Sequence, residues 1–177
     1  LTDNVILVDQ NDKEIGSMSK MQAHLSGTLH RAFSIFIFNK KGQLLLQQRA
    51  LGKYHSGGKW TNTCCSHPRI GEKTIIAANR RLQEEMGMEC DLIYGFSFLY
   101  KADVKDGLLE HEYDHVYFGS SDDKPTLNPD EVSAYKYIDL DILVEDLRLH
   151  PDLYTEWLKI SFDQVLAIYR TKLTQEN

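Results

Sequence analysis

Residues 32–38 read AFSIFIF, a run dominated by aromatic and β-branched side chains. Such side chains suit the pleated surface of a strand and lose rotamer freedom in a helix. Asn39-Lys40-Lys41-Gly42 follows, and then Gln43-Leu44-Leu45-Leu46-Gln47-Gln48. Two strand-like segments around a glycine turn predict a β-hairpin. Further strand-like segments stand at 96–100 and 109–118, around a turn at Asp106-Gly107, and at 135–138. Residues 5–8 form a short apolar run that stops at the turn signal Gln10-Asn11-Asp12, and the polar, glycine-containing stretch 52–58 reads as a loop.

Helices flank this strand-rich middle. Over 74–86, Ile75, Ala78, Leu82 and Met86 recur at steps of three and four, which draws one apolar stripe, and Gly87 supplies a C-cap. Residues 139–147 predict a short helix. Pro151 suits the first turn of a long final helix whose apolar face is Leu153, Trp157, Ile160, Leu166, Tyr169 and Leu173. The class is therefore mixed, α+β. At about 150 residues per domain, 177 residues predict one compact domain over 1–177.

Composition excludes several functions. Apolar residues make up 42% and charged residues 26%, an ordinary globular balance. The net charge of −6 argues against a nucleic-acid-binding surface, which needs a basic field. Apolar runs such as 35–38 are far shorter than the ~20 residues of a membrane span, so no membrane partner is expected. The first 30 residues carry Asp3, Asp9, Asp12 and Glu14 and no apolar core of a secretory signal. Three cysteines, Cys64, Cys65 and Cys90, without a CxxC pattern predict reduced thiols in a cytoplasmic protein and no cysteine zinc site.

Five groups of residues could carry chemistry. On the first helix Arg81 and Glu85 share a face beside the apolar stripe and Glu84 points away from it. They read either as solvated ion pairs or as a carboxylate for a divalent cation beside a basic group for phosphate. His24 and His30 flank a bend at Leu25-Ser26-Gly27-Thr28, where two imidazoles can converge on one cation, and Pro68 holds His67 extended. The period-two set Glu110, Glu112 and Asp114 shares one strand face, where carboxylates repel unless a cation or proton lies between them. The opposite face, His111, Tyr113, His115 and Tyr117, competes with it for the buried side. Lys20, Arg49, Lys53 and Arg81 are candidate anion-binding cations. Cys65, two residues before His67, shares its face in an extended segment while Cys64 faces the other way. A histidine ligand and cations nearby could lower the thiol pKa at that position, while a bare cysteine is more often a small buried hydrophobe.

In their order these motifs resemble the type I isopentenyl-diphosphate isomerases, a branch of the Nudix superfamily. The resemblance spans about residues 20–157. It rests on His24 and His30, on Gly58-Lys59-Trp60-Thr61-Asn62 leading to Cys65-Ser66-His67-Pro68, on the helix, on Tyr100, and on Glu110-His111-Glu112. The Nudix box falls on Ser66, Glu72, Arg80, Arg81, Leu82, Glu84, Glu85, Gly87 and Met88. Ser66 stands where the box has glycine, and Arg81 stands where it has glutamate. The second departure fits the isomerase branch and weakens a diphosphate hydrolase reading.

The resemblance implies a Nudix-like α/β/α sandwich with a mixed central sheet. It implies an isomerase that moves the double bond between isopentenyl and dimethylallyl diphosphate. Cys65 and Glu112 would carry protons, with Tyr100 as hydrogen-bond partner. His24, His30, His67, Glu110 and Glu112 would hold one divalent metal, Mn²⁺ or Mg²⁺ with Zn²⁺ a contender. Glu85 would hold a second ion, Mg²⁺, against the substrate diphosphate. Lys20, Arg49, Lys53 and Arg81 would neutralise that diphosphate, and Trp157 would face a carbocation. No flavin is implied, and monomer and homodimer both remain open. The competing readings are a Nudix hydrolase of nucleoside diphosphate derivatives, which needs no Cys65, and a diphosphate- or metal-binding module without turnover.

Overall fold

The central strand, β3 (His30–Phe38), is buried on both faces. Phe33, Ile35 and Ile37 point one way, and Phe36 and Phe38 the other. A strand of this kind needs a covering layer on each side of its sheet. The computed structural model, which describes residues 3–175, supplies both layers. Nine strands form one mixed sheet among the described residues. In chain order they are β1 (Asn4–Val8), β2 (Glu14–Ser19), β3, β4 (Leu44–Arg49), β5 (Trp60–Thr61), β6 (Cys64–Ser66), β7 (Ile93–Lys105), β8 (Leu108–Ser120) and β9 (Val132–Ile138). Four α-helices accompany them: α1 (Lys20–Ser26), α2 (Thr74–Met86), α3 (Leu140–Leu149) and α4 (Glu156–Gln175).

The helix α2 packs Ala78, Leu82 and Met86 onto Phe33, Ile35 and Ile37. On the other face, Leu143 of α3 and Leu158, Phe162 and Val165 of α4 pack onto Phe36, Phe38, Val116 and Phe118. This is the expected α/β/α sandwich. The α2 boundaries agree with the periodicity, and Gly87 closes the helix at φ 60° with its N–H on the Gln83 carbonyl at 3.0 Å.

The β3–β4 hairpin forms only at its turn, where Phe38 pairs with Leu44. Beyond that point the strands part. Thr63 Oγ1 accepts from the Ile37 N–H at 2.9 Å and donates to the Leu45 carbonyl at 2.6 Å. Asn62 Nδ2 donates to the Ile35 carbonyl at 3.1 Å. These polar side chains replace the missing ladder bonds and let β6 pair with Phe33, Ser34 and Ile35. The other edge of β3 runs parallel to β8, from His30 beside Glu112 to Phe38 beside Ser120.

Three sequence expectations are corrected. The bend between His24 and His30 is the C-terminus of a helix: Ser19 caps α1 at the Gln22 N–H, and Gly27 ends it at φ 65°. Pro151 opens a separate 3₁₀ turn, Pro151–Leu153, and the final helix begins only at Glu156. Between them Tyr154 is extended and fully buried, with its hydroxyl on Asp146 and its backbone bridged to Trp60, so the chain cannot run straight from Pro151 into a helix. The buried face of α4 is accordingly Trp157, Leu158, Phe162 and Val165, whereas Leu153 and Ile160 are about half exposed. The side chain of Leu173 lies outside the described residues.

Gly87 and Gly107 offer a matched stability test. Both have left-handed φ, 60° and 77°. A Cβ at Gly87 would meet the Thr126 carbonyl oxygen at 2.6 Å, whereas one at Gly107 meets nothing within 4 Å. Gly107→Ala should cost about 1 kcal/mol, the strain of a left-handed L-residue, and Gly87→Ala about 2 kcal/mol or more in urea unfolding. Equal losses would mean that the Thr126 contact relaxes freely.

Candidate active site

Three adjacent strands change character along one face. On β3 the side chains run from Phe38 and Phe36 to Ser34 and His30. On β8 they run from Phe118 and Val116 to Asp114, Glu112 and Glu110, and on β7 from Phe96 and Phe98 to Tyr100. The register sets His30 beside Glu112 and Glu112 opposite Tyr100. The period-two carboxylates therefore share a face, and that face is the inner one: Glu110 is 2% exposed, Glu112 6% and Asp114 1%. His111, Tyr113 and His115 on the competing face are only partly buried.

The histidines close over these carboxylates. His24 Nδ1 lies 2.6 Å from the Lys20 carbonyl and His30 Nδ1 2.8 Å from the Thr28 carbonyl. Each carbonyl takes the ring proton and leaves Nε2 as a lone pair aimed inward. His24 Nε2 is 2.8 Å from Glu110 Oε1, and His67 Nε2 is 2.6 Å from Glu112 Oε2. Ligand atoms of His24, His30, His67 and Glu110 all lie within 4.8 Å of one another. Glu110 Oε2 and His30 Nε2 are buried without a hydrogen-bond partner. Lone pairs facing a carboxylate, with buried acceptors unsatisfied, are what a divalent cation would compensate, so the donor set fits one. Burial pushes His67 down to about 4, against the pull of Glu112, which keeps its imidazole neutral as a ligand must be. Glu112 sits at the rim of the four-residue cluster, with Oε2 toward His67 and His30 and with Oε1 accepting from the Tyr100 hydroxyl.

Cys65 on β6 stands opposite Ser34 and lines a cavity of about 250 Å³ together with Glu112, Asp114 and Trp157. Cys64 points into the core beneath α2 and donates its thiol to Glu85 Oε2 at 3.2 Å. The two cysteines thus face opposite ways. A lowered pKa at Cys65 is not what the site produces: burial drives the thiol up to about 12, with Arg49 opposing. The group is a thiol, not a thiolate, at neutral pH.

The four expected cations all reach this cavity. Lys20 sits over the Tyr54 ring at 5.1 Å, its pKa lowered by burial and by the nearby Lys53 and Arg49. Arg49 lies over the Trp157 ring at 5.3 Å. Lys53 pairs with Glu131, and Arg81 bridges Glu85 Oε1 at 2.7 Å and Glu131 Oε1 at 3.2 Å. Glu85 is buried, and its Oε2 accepts from Gln47 Nε2 at 3.0 Å. Glu72 and Arg80 of the box lock together through two bonds of 2.8 and 2.9 Å, which ties the preceding loop to α2. Sequence reasoning left out His55, Glu131 and Gln47. They lie in a loop, beside a turn and in a strand, with no periodicity or motif to mark them.

Comparison with known proteins identifies the family. The NUDIX domain matches residues 28–158. Isopentenyl-diphosphate Delta-isomerase 2 of Aromatoleum aromaticum is 52% identical over 94% of this chain and 88% of its own. Isopentenyl-diphosphate Delta-isomerase of Pectobacterium atrosepticum is 52% identical over 91% of this chain and 90% of its own. The chain belongs to the isopentenyl-diphosphate Delta-isomerase family. The Nudix fold of this family extends to solved structures: DR0079 from Deinococcus radiodurans superposes with a TM-score of 0.77 at 19% identity, covering 94% of this chain and 99% of that one. Within the family frame, Arg81 is the residue that turns one position of the Nudix helix from acidic to basic, and it holds Glu85 in place.

Asp114 gives the site a pH signature. Burial, and then the charge of Glu112, raise its pKa well above the carboxylate range, while Ser34 Oγ donates to Oδ2 at 2.7 Å and Oδ1 has no partner. A carboxyl with a raised folded-state pKa binds a proton on folding, so its stabilising contribution is present at low pH and is lost as pH rises through the folded pKa. Asp114→Asn should therefore stabilise the chelator-treated protein at pH 8, by on the order of 1–3 kcal/mol, and change little near pH 4. Denaturant melts at the two pH values check it. An equal effect at both would trace to packing instead.

Proposed function

We propose that the protein interconverts isopentenyl and dimethylallyl diphosphate by adding a proton at one carbon and removing another two carbons away. The observation that carries this reading is a partly buried thiol and a buried carboxylate lining one cavity. Cys65 comes from β6 and Glu112 from β8, the strands on opposite edges of β3. An allylic rearrangement needs two proton carriers that reach the substrate from different sides. A thiol pushed up to about 12 by burial, beside a carboxylate that the neighbouring His30 and His67 keep below its ordinary value against its own burial, makes one loaded carrier and one empty one. Tyr100, donating to Glu112 Oε1, steers the carboxylate toward the cavity. Trp157 and its neighbours keep water from a carbon that becomes cationic, and the indole face stabilises it.

Lys20, Arg49, Lys53 and Arg81 are the groups that would neutralise the diphosphate. His24, His30, His67, Glu110 and Glu112 would hold a divalent metal, Mn²⁺ or Mg²⁺, with Zn²⁺ as the competing occupant. When bound, that metal would neutralise the carboxylates and fix the position of Glu112. Glu85, buried and already oriented by Arg81 and Gln47, would meet a Mg²⁺ ion carried in with the diphosphate. No helix among the described residues is long and apolar enough to cross a membrane. The free cysteines suit a cytoplasmic setting, where thiols stay reduced.

Incubation with isopentenyl diphosphate and Mg²⁺ in D₂O, followed by proton NMR, tests the reaction. Dimethylallyl diphosphate carrying deuterium should accumulate with no phosphate released. Release of a monophosphate would support the hydrolase reading instead. Cys65→Ala should lower turnover by at least ~10²-fold, the range of one positioned proton carrier, while Cys64→Ala should stay active. A fully active Cys65→Ala would remove the thiol from the mechanism.

The metal reading has its own check. In metal analysis of the purified protein, His67→Ala should retain metal more weakly than the parent. Unchanged stoichiometry and affinity would take His67 out of the site.

A further inference from the structure

We infer that His55 is a positioning residue of this site, a hydrogen-bond donor that orients Glu110 from outside the ligand set without itself binding the metal. The inference rests on the reading above, in which His24, His30, His67 and Glu110 hold a cation.

His55 lies in the loop between β4 and β5, is 6% exposed, and brings Nε2 to 2.7 Å from Glu110 Oε1. Its Nδ1 faces the Ser56 hydroxyl at 3.2 Å. A neutral ring has one N–H. If that proton sat on Nδ1, the Nε2 lone pair would press against a carboxylate oxygen in a buried place. The stable arrangement puts the proton on Nε2, donated to Glu110, and lets Ser56 donate to Nδ1. This is the reverse of His24 and His30, whose Nδ1 protons go to carbonyls and whose Nε2 lone pairs point into the cluster. His55 therefore has no lone pair to offer the cluster, and its nitrogens are not in the converging group of ligand atoms. What it does is hold Oε1 of Glu110 in place beside His24 Nε2, and so fix the orientation of a carboxylate whose Oε2 has no partner of its own.

The loop is built to keep His55 there. Ser56 adopts φ 53°, a left-handed conformation that L-residues enter only when the surroundings hold them. Arg49 donates to the His55 carbonyl at 3.1 Å. A Cβ at Gly57 would strike the Leu51 carbonyl oxygen at 2.7 Å, so the chain passes close only because glycine stands there. The His55 ring also meets Trp157 edge to face, with centroids 6.1 Å apart at 90°. One side chain thus joins the metal ligand to the aromatic wall of the cavity.

Calorimetric titration of chelator-treated protein with Mn²⁺ tests the role. His55→Phe keeps a ring against Trp157 and removes the donor, and it should weaken Mn²⁺ binding ~10–100-fold, the usual loss for an outer hydrogen-bond partner. His55→Gln, which can still donate an N–H to Glu110, should recover most of that affinity. Long-range ¹H–¹⁵N spectra of the parent should show the Nε2–H tautomer at His55 both without metal and with Zn²⁺ bound. Parent-like affinity in His55→Phe, no recovery in His55→Gln, or a Zn²⁺-induced ligand shift at His55 nitrogen would each overturn the inference. If the parent takes up no metal at all, the site reading fails instead, and the metal-free tautomer still shows whether the His55–Glu110 bond exists.

Discussion

Three carboxylates stand in a row on the inner face of β8, and the rest of the molecule answers to them. A bare carboxylate in a protein interior is too costly to persist without charge or hydrogen-bond compensation. Each of the three is compensated differently. Glu110 meets His24 and His55, Glu112 meets His30, His67 and the Tyr100 hydroxyl, and Asp114 accepts from Ser34 with a pKa that burial and the charge of Glu112 raise. These partners come from α1, β3, the segment just after β6, β7 and the loop after β4. The acidic row thus recruits side chains from most of the chain, and the cavity sits where they converge.

The second feature of the site is the inverted use of a common helix. One turn of α2 carries Arg80, Arg81, Glu84 and Glu85. Arg80 serves structure by clamping Glu72, while Arg81 holds Glu85 against the cavity. With arginine at that place, the helix presents one buried carboxylate, Glu85, which Arg81 and Gln47 hold by direct hydrogen bonds.

Much of this was legible in the sequence because it is periodic or locally punctuated. The α2 stripe and Gly87 mark a helix to the residue, and the alternation at 110–114 places three carboxylates on one face. What periodicity cannot say is which face turns inward. At β8 the apolar Val116 and Phe118 share parity with the carboxylates, and that parity decides the matter only once the register with β3 is known. The helix α1 was read as a bend because it is barely two turns long and its apolar pattern is too short to register. The opened hairpin was illegible for another reason: side chains of Asn62 and Thr63 do the work of strand backbone, and no local pattern announces that. His55 shows the limit most plainly, since a histidine in a loop acquires meaning only from Glu110, which lies far along the chain.

The parallel pairing of β3 with β8 carries a kinetic consequence. It joins residues 30–38 to residues 112–120 and sets the register of His30 against Glu112. Contacts so distant in sequence form slowly, because the intervening chain must be gathered before they return any stabilisation. Until β8 docks, the histidines have no carboxylates to face and the acidic row has no cover. A nascent chain that lacks β8 holds His24, His30, His55 and His67 but none of the carboxylates they face. The histidine and carboxylate atoms that converge at this place therefore come together only once β8 has paired with β3, and their convergence cannot serve as a template for folding that precedes that pairing.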